Sequence, residues 1–397
     1  MHDEDQQNPE SDDIPSDTTS LAGVPTDSRR RLPYKRFFFV ILGLVIVGAI
    51  AFGVWDWQFN KPARPAVTVI NNAPTQASQT GTTASNLPGL KLDSTKNYGN
   101  KYADGLLPVG DGKYVTTAPK TGYIYTCSNY ARNIQVESGG AGKRGPWFTN
   151  NNTQYDINKK LHVQGNVMWQ AELSNKVSGS IRTIVTNDLP NHPTGTFPIS
   201  ASDPAYTFDR NPNSIKGQTM TYALSTDPSY SSTPNCESGQ VGVMLSGVAL
   251  FNGFDAGGRD AGAWEIQDSC DGHPQSDGIY HYHTLSSCIK NISSRTVIGF
   301  ALDGFPITGP QVAKNNILTT ADLDECHGIT GQIVLDGKTT TMYHYVMTQD
   351  FPYSVSCFRA KPISPPGEKP SGGPAQNQGS SGGGQKQPGP KPQPLNR

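Results

Sequence analysis

Between Ser269 and Cys288 the chain reads SCDGHPQSDGIYHYHTLSSC, and this stretch limits the fold more than any other. Gly272, Pro274 and Gly278 mark turns, and Ile279–Thr284 then has the β-branched and aromatic content of a strand. Side chains on a strand alternate, so His281 and His283 share one face and Tyr280 and Tyr282 the other. Two imidazoles about 6–7 Å apart along a strand can hold one metal ion if a neighbouring strand adds a third group. Cys270 and Cys288 bracket the unit and can staple it.

All six cysteines, Cys127, Cys236, Cys270, Cys288, Cys326 and Cys357, follow the only long apolar run of the chain. An even number beyond a membrane segment reads as disulfides in an oxidising compartment. Many pairings are open on sequence alone. The preferred set joins Cys270 to Cys288 and Cys326 to Cys357, because each pair brackets a histidine strand, and leaves Cys127 with Cys236. With the thiols consumed, a metal must be held by imidazole and carboxylate, which suit zinc, copper, iron or manganese.

The metal ligands expected are His281, His283 and His344, the last from a second aromatic run, Tyr343-His344-Tyr345-Val346. Three histidines leave a coordination position open for water or substrate, as in catalytic zinc. His273, in a Gly-His-Pro turn, is a fourth ligand or a general acid or base. Asp303, before Gly304 at the end of an apolar strand, is either a turn residue or the carboxylate that fixes an imidazole tautomer. His192, in Asn-His-Pro, reads as a loop residue. The competing reading of the histidine strands is a structural ladder, with imidazoles donating to carbonyls above packed tyrosines.

The surrounding chain is layered. Residues 1–36 begin with eight acids and no lysine or arginine through Ser28, then carry Arg29, Arg30, Arg31, Lys35 and Arg36. This reads as a disordered cytoplasmic tail. Phe37–Trp55 is free of charge, and as a helix it would span roughly 28 Å, a hydrocarbon core. The preceding cations put the N-terminus inside. Ala49-Ile50-Ala51 offers the rival reading of a cleaved signal, but the run is long for one. Residues 56–97 read as a flexible linker, 98–362 as one ectodomain and 363–397 as a disordered Gly/Pro/Gln-rich tail. A net charge of −1 without a basic stripe excludes a nucleic-acid binder.

The ectodomain is expected to be mainly β, with long loops and one or two short helices, as 42 glycines and 31 prolines demand. Strands are expected at Leu161–Trp169, Ile181–Val185, Thr219–Leu224, Gln240–Phe251, Thr296–Leu302, Gln332–Leu335 and Thr341–Met347. Asp336-Gly337 signals a hairpin. Pro310–Asp324 is the expected helix, and Asp255, Arg259 and Asp260 read as a salt-bridged loop.

The stretch resembles the YHYH-domain family of bacterial extracytoplasmic proteins. Further resemblance lies in Asn191–Gly195, Asp209–Pro212, Gly239–Val243, Phe254–Asp260, Ala301–Pro306, Asp322–Cys326, Phe351–Tyr353 and Cys357–Arg359, over roughly residues 98–362. It implies an extracytoplasmic domain and brings no activity with it. Val346 stands where a second histidine would complete a symmetrical site, so one site is expected rather than two. Two functions remain: a membrane-tethered metalloprotein, with a metal-dependent reaction on a small molecule, or a non-catalytic module for a glycan, cell-wall polymer or protein.

Overall fold

The computed structural model describes residues 87–128, 130 and 143–366. The expected cytoplasmic tail, the apolar span 37–55, most of the linker and most of the C-terminal tail lie outside them. Among the described residues no helix is long and apolar enough to cross a membrane.

The unit is mainly β. β1 (Leu106–Pro108), β2 (Tyr114–Val115), β3 (Ile124–Tyr125), β4 (Phe148–Thr149) and β5 (Gln154–Asp156) make two small sheets, of orders β1-β5-β4 and β2-β3. β6 (Leu173–Ser178), β7 (Ile181–Thr186) and β8 (Met220–Ser225) form an antiparallel sheet in sequence order. The main sheet uses β9 (Gln240–Met244), β10 (Ala249–Phe251), β11 (Gly272–Pro274), β12 (Tyr280–Tyr282), β13 (Val297–Ala301) and β14 (Pro306–Thr308). After the small hairpin β15 (Gln311–Ala313) and β16 (Asn316–Ile317) come β17 (Gly328–Leu335) and β18 (Lys338–Val346). The order is β11-β12-β10-β9-β13-β14-β18-β17, with parallel pairing only at β10–β12 and β14–β18.

The core follows the sheet centre. Every residue of β9 is buried, as a strand covered on both faces requires. Val241, Val243, Leu250, Tyr282, Phe300, Ile307 and Tyr345 pack into one cluster with Met220, Tyr222 and Leu224 of β8. The three disulfides are Cys127–Cys236, Cys270–Cys288 and Cys326–Cys357, the pairing preferred from sequence.

Several expectations need correction. The helix expected at Pro310–Asp324 is the β15–β16 hairpin followed by a short 3-10 turn at Thr320–Asp322. Asn315, at φ 55°, takes the left-handed turn that a helix does not allow. The described α-helix is instead α1 (Ala261–Trp264), directly after the expected charged loop. Asp260 caps it, accepting from Ala263 N. Gln240–Phe251 is two strands rather than one, folded back at Gly247, φ 104°. Leu161–Trp169 makes only the isolated bridges Val163–Asp268 and Val167–Thr194. The folded unit also starts before residue 98. Lys91 bridges Thr330 of β17, and Leu92 N donates to Thr330 O at 2.8 Å.

Candidate metal centre

Three imidazoles and one carboxylate converge at the β11 edge of the main sheet. The 275–279 turn folds β11 onto β12 and sets His273 directly opposite His281. Two features fix that hairpin. A Cβ at position 272 would lie 2.2 Å from the Tyr280 ring, so only glycine fits there. Gly278 turns at φ 93° against Lys216. The Asp268 carboxylate then ties the base together, accepting from Tyr280 OH at 2.9 Å, Cys270 N at 2.8 Å and Gly195 N at 3.0 Å. Alternation sends Tyr280 into this anchor and His281 to the opposite face.

His281 Nε2 lies 3.1 Å from His273 Nε2 and 3.1 Å from His283 Nε2. Glu265, just past α1, places Oε2 3.2 Å from His283 Nε2 and 3.4 Å from His273 Nε2. All three rings are buried, and Glu265 is 14% exposed. The tautomers follow from the other ring nitrogens. His283 Nδ1 faces Asn252 O, and His281 Nδ1 faces Ile279 O at 3.3 Å. A nitrogen that faces a carbonyl carries the proton, so neutral His281 presents a lone pair at Nε2, and so does His283 when its Nε2 carries no proton. The Glu265 oxygen lies within reach of both His273 and His283. Either a proton on His283 or a metal cation between the atoms balances that oxygen.

The spacing suits a metal cation. Metal bonds of 2.0–2.1 Å put neighbouring ligand atoms about 3.0 Å apart in octahedral and about 3.4 Å apart in tetrahedral coordination. Burial, and then the neighbouring rings, hold His273 and His281 well below the ordinary imidazole pKa, so both are neutral at pH 7. For His283, burial opposes charge, but the Glu265 carboxylate outweighs it and lifts the pKa above the ordinary value. Phe251 packs on His281 at 4.2 Å between centroids and seals one side. The other side opens into a cavity of about 470 Å³, bordered by Tyr130, Asp209, Asn213 and Asp255.

One step outward, Asn252 accepts from His283 with its backbone oxygen and donates from Nδ2 to Glu237 Oε2 at 2.8 Å. Glu237 is fully buried, and burial pushes its pKa up to about 8, so it is protonated at pH 7.

His344 does not join the cluster. It lies on β18, five strands from β12 in the sheet order, or roughly 24 Å at about 4.8 Å per strand. Its Nδ1 faces Met342 O, and its buried Nε2 has no partner. The third imidazole of the cluster, expected from His344, is that of His273, which local turn signals placed in a loop and which sits on β11. Asp303 does not fix an imidazole either. It accepts from Phe305 N at 3.2 Å, as a turn aspartate does, and from Tyr345 OH at 2.7 Å and Ala360 N at 3.0 Å. His192 spends its nitrogens on Pro193 O and Tyr282 OH, and the sulfurs near it are in a disulfide. Glu265 escaped sequence reading altogether, because no spacing links it to the histidines.

Residues 221–317, from within β8 to the end of β16, match the family model described as YHYH protein. They contain every residue of the cluster. Neither the curated proteins nor the solved structures contain a match to the chain.

Proposed function

Starting from a YHYH segment built around converging imidazoles, we propose that the protein binds a divalent transition metal through Nε2 of His273, His281 and His283 and an oxygen of Glu265. Zinc, copper, iron and manganese all accept this donor set. The observation that carries the reading is the pair of Nδ1 atoms that face backbone carbonyls, which turns Nε2 of His281 and of His283 toward each other, 3.1 Å apart. An ion there supplies Lewis acidity to whatever enters the cavity. Glu265 sets the charge of the site, and Phe251 keeps water from one side. Three disulfides fit an oxidising, extracytoplasmic compartment. The apolar run 37–55, with five cations before it, then serves as an uncleaved signal anchor.

Elemental analysis of the purified protein, dialysed against metal-free buffer, tests the reading. The native chain should retain about one ion, and His281→Ala/His283→Ala none, since removal of two ligands leaves too few donors. Equal metal in both would reduce the cluster to a buried His–Glu ion pair. The anchor is tested by an alkaline wash of membranes, which should leave the full chain in the pellet.

A further inference from the structure

We propose that the metal cavity is one end of a longer cleft that takes an oligosaccharide, a hydroxyl-rich sugar chain bearing neutral or amino groups. This rests on the metal reading for the reactive end and on the second cavity for the rest. That second cavity, about 330 Å³, shares Gly239, Phe251 and Gln275 with the first and runs past Gln218 and Asp277 to Pro365 and Pro366. The shared residues make the two spaces continuous walls of one trough.

The chemistry of the walls selects the ligand. Among the described residues neither cavity is lined by a lysine or an arginine, whereas Asp209 and Asp277 border them, as does Asp255, which is paired with Arg259. A phosphate or carboxylate beyond reach of the metal would meet like charge there. The amide side chains each commit at least one N–H to the protein. Gln218 Nε2 donates to Lys216 O at 3.2 Å and Asp277 O at 3.3 Å, and Gln275 Nε2 to the Asp277 carboxylate at 3.2 Å. Asn213 Nδ2 donates to Pro274 O at 3.4 Å. What these groups offer a ligand is weighted toward carbonyl and carboxylate oxygen, with the hydroxyls of Tyr130, Ser276 and Thr219 able to donate or accept. The trough favours a chain rich in donors that can also accept. An extended peptide carries one acceptor for each backbone donor and would leave more of its carbonyls unpaired against such walls. A sugar chain brings several hydroxyl donors per unit. Phe251, half-buried at the join, adds the apolar surface that the C–H face of a sugar ring covers.

The test uses the full chain in detergent, loaded with the metal it retains, on an array of glycans spanning the common linkages, followed by titration of the hits. Neutral or amino hexasaccharides should bind at least tenfold more tightly than their monosaccharides and than uronic-acid hexamers. Gln218→Lys, at the end remote from the histidines, should weaken the amino-sugar hexamer at least tenfold and leave metal content unchanged. Tightest binding of uronates, binding of a lysine hexamer as well as any sugar, hexamers no better than monomers, or no glycan bound at all would each overturn the proposal. Metal content is measured on the same preparations. A metal-loaded chain that binds no sugar fails the cleft alone, and a metal-free chain that binds hexamers fails the metal alone.

Discussion

The main sheet carries two aromatic–histidine strands, and they end differently. On β12, Tyr280 OH donates to buried Asp268 and Tyr282 OH to Ser246. On β18, Tyr343 OH donates to Asp324 and Tyr345 OH to buried Asp303. Each strand also lies near a disulfide. The scaffolds match, yet only β12 gathers histidines. The cause is the cross-strand partner. His281 stands opposite His273, whereas His344 stands opposite Ile329. Directly opposed side chains are the nearest neighbours a strand has. An imidazole facing an imidazole makes a ligand pair, and one facing isoleucine makes a buried base without company.

The largest effect expected from this contrast is on metal. His273→Ala should empty the protein of its ion, and His344→Ala should leave it full; loss of metal in the second variant would break the comparison. Next comes acid sensitivity. Burial holds His344 and His327 neutral, with pKa values lowered to about 4 and about 3. The unfolded chain binds these protons from about pH 6.5, so it binds more protons than the native state in the window below. Stability should therefore fall as pH drops from about 6.5 toward 4, by up to about 3 kcal/mol per ring. Urea titrations of His344→Asn should show a shallower slope, and an unchanged slope would mean that this ring is already charged. Third, Glu237→Ala removes the support of Asn252 behind His283 and should weaken metal binding about 10–100-fold. Glu237→Gln, which mimics the protonated acid, should keep the affinity, and equal loss in both would point to charge instead. Smallest are the tyrosine anchors. Tyr280→Phe and Tyr345→Phe should each cost about 1–3 kcal/mol by thermal unfolding. Similar losses at both ends, with metal disturbed only by the first, would sharpen the contrast.

These contrasts also mark where sequence reading stops. The shared face of His281 and His283 follows from strand alternation and needs no fold. Two disulfide pairs were preferred because their cysteines flank a histidine strand, and Cys127–Cys236 was what remained. His344 satisfied the same local logic as His281, and the difference between them lies in strand order, set by a parallel β14–β18 pairing that no local pattern announces. His273 was legible as a fourth ligand or an acid–base group, but not its place opposite His281, since that register depends on the 275–279 turn. Glu265 enters through a helix of four residues, too short to leave a periodic signal. Asp303 held both readings at once, and the hydroxyl of Tyr345 decided for the turn.

The docking of Lys91 and Leu92 on Thr330 has a mechanical consequence. The chain arrives at the β17 edge, and the histidines occupy the β11 edge, at the other end of the strand order. β17 also returns to the start of β13, where Thr296 bridges Val334 and Val334 N donates to Arg295 O at 2.8 Å. Pull on the leading segment therefore loads the β17–β18 hairpin and β13 before it reaches β12 and the imidazoles.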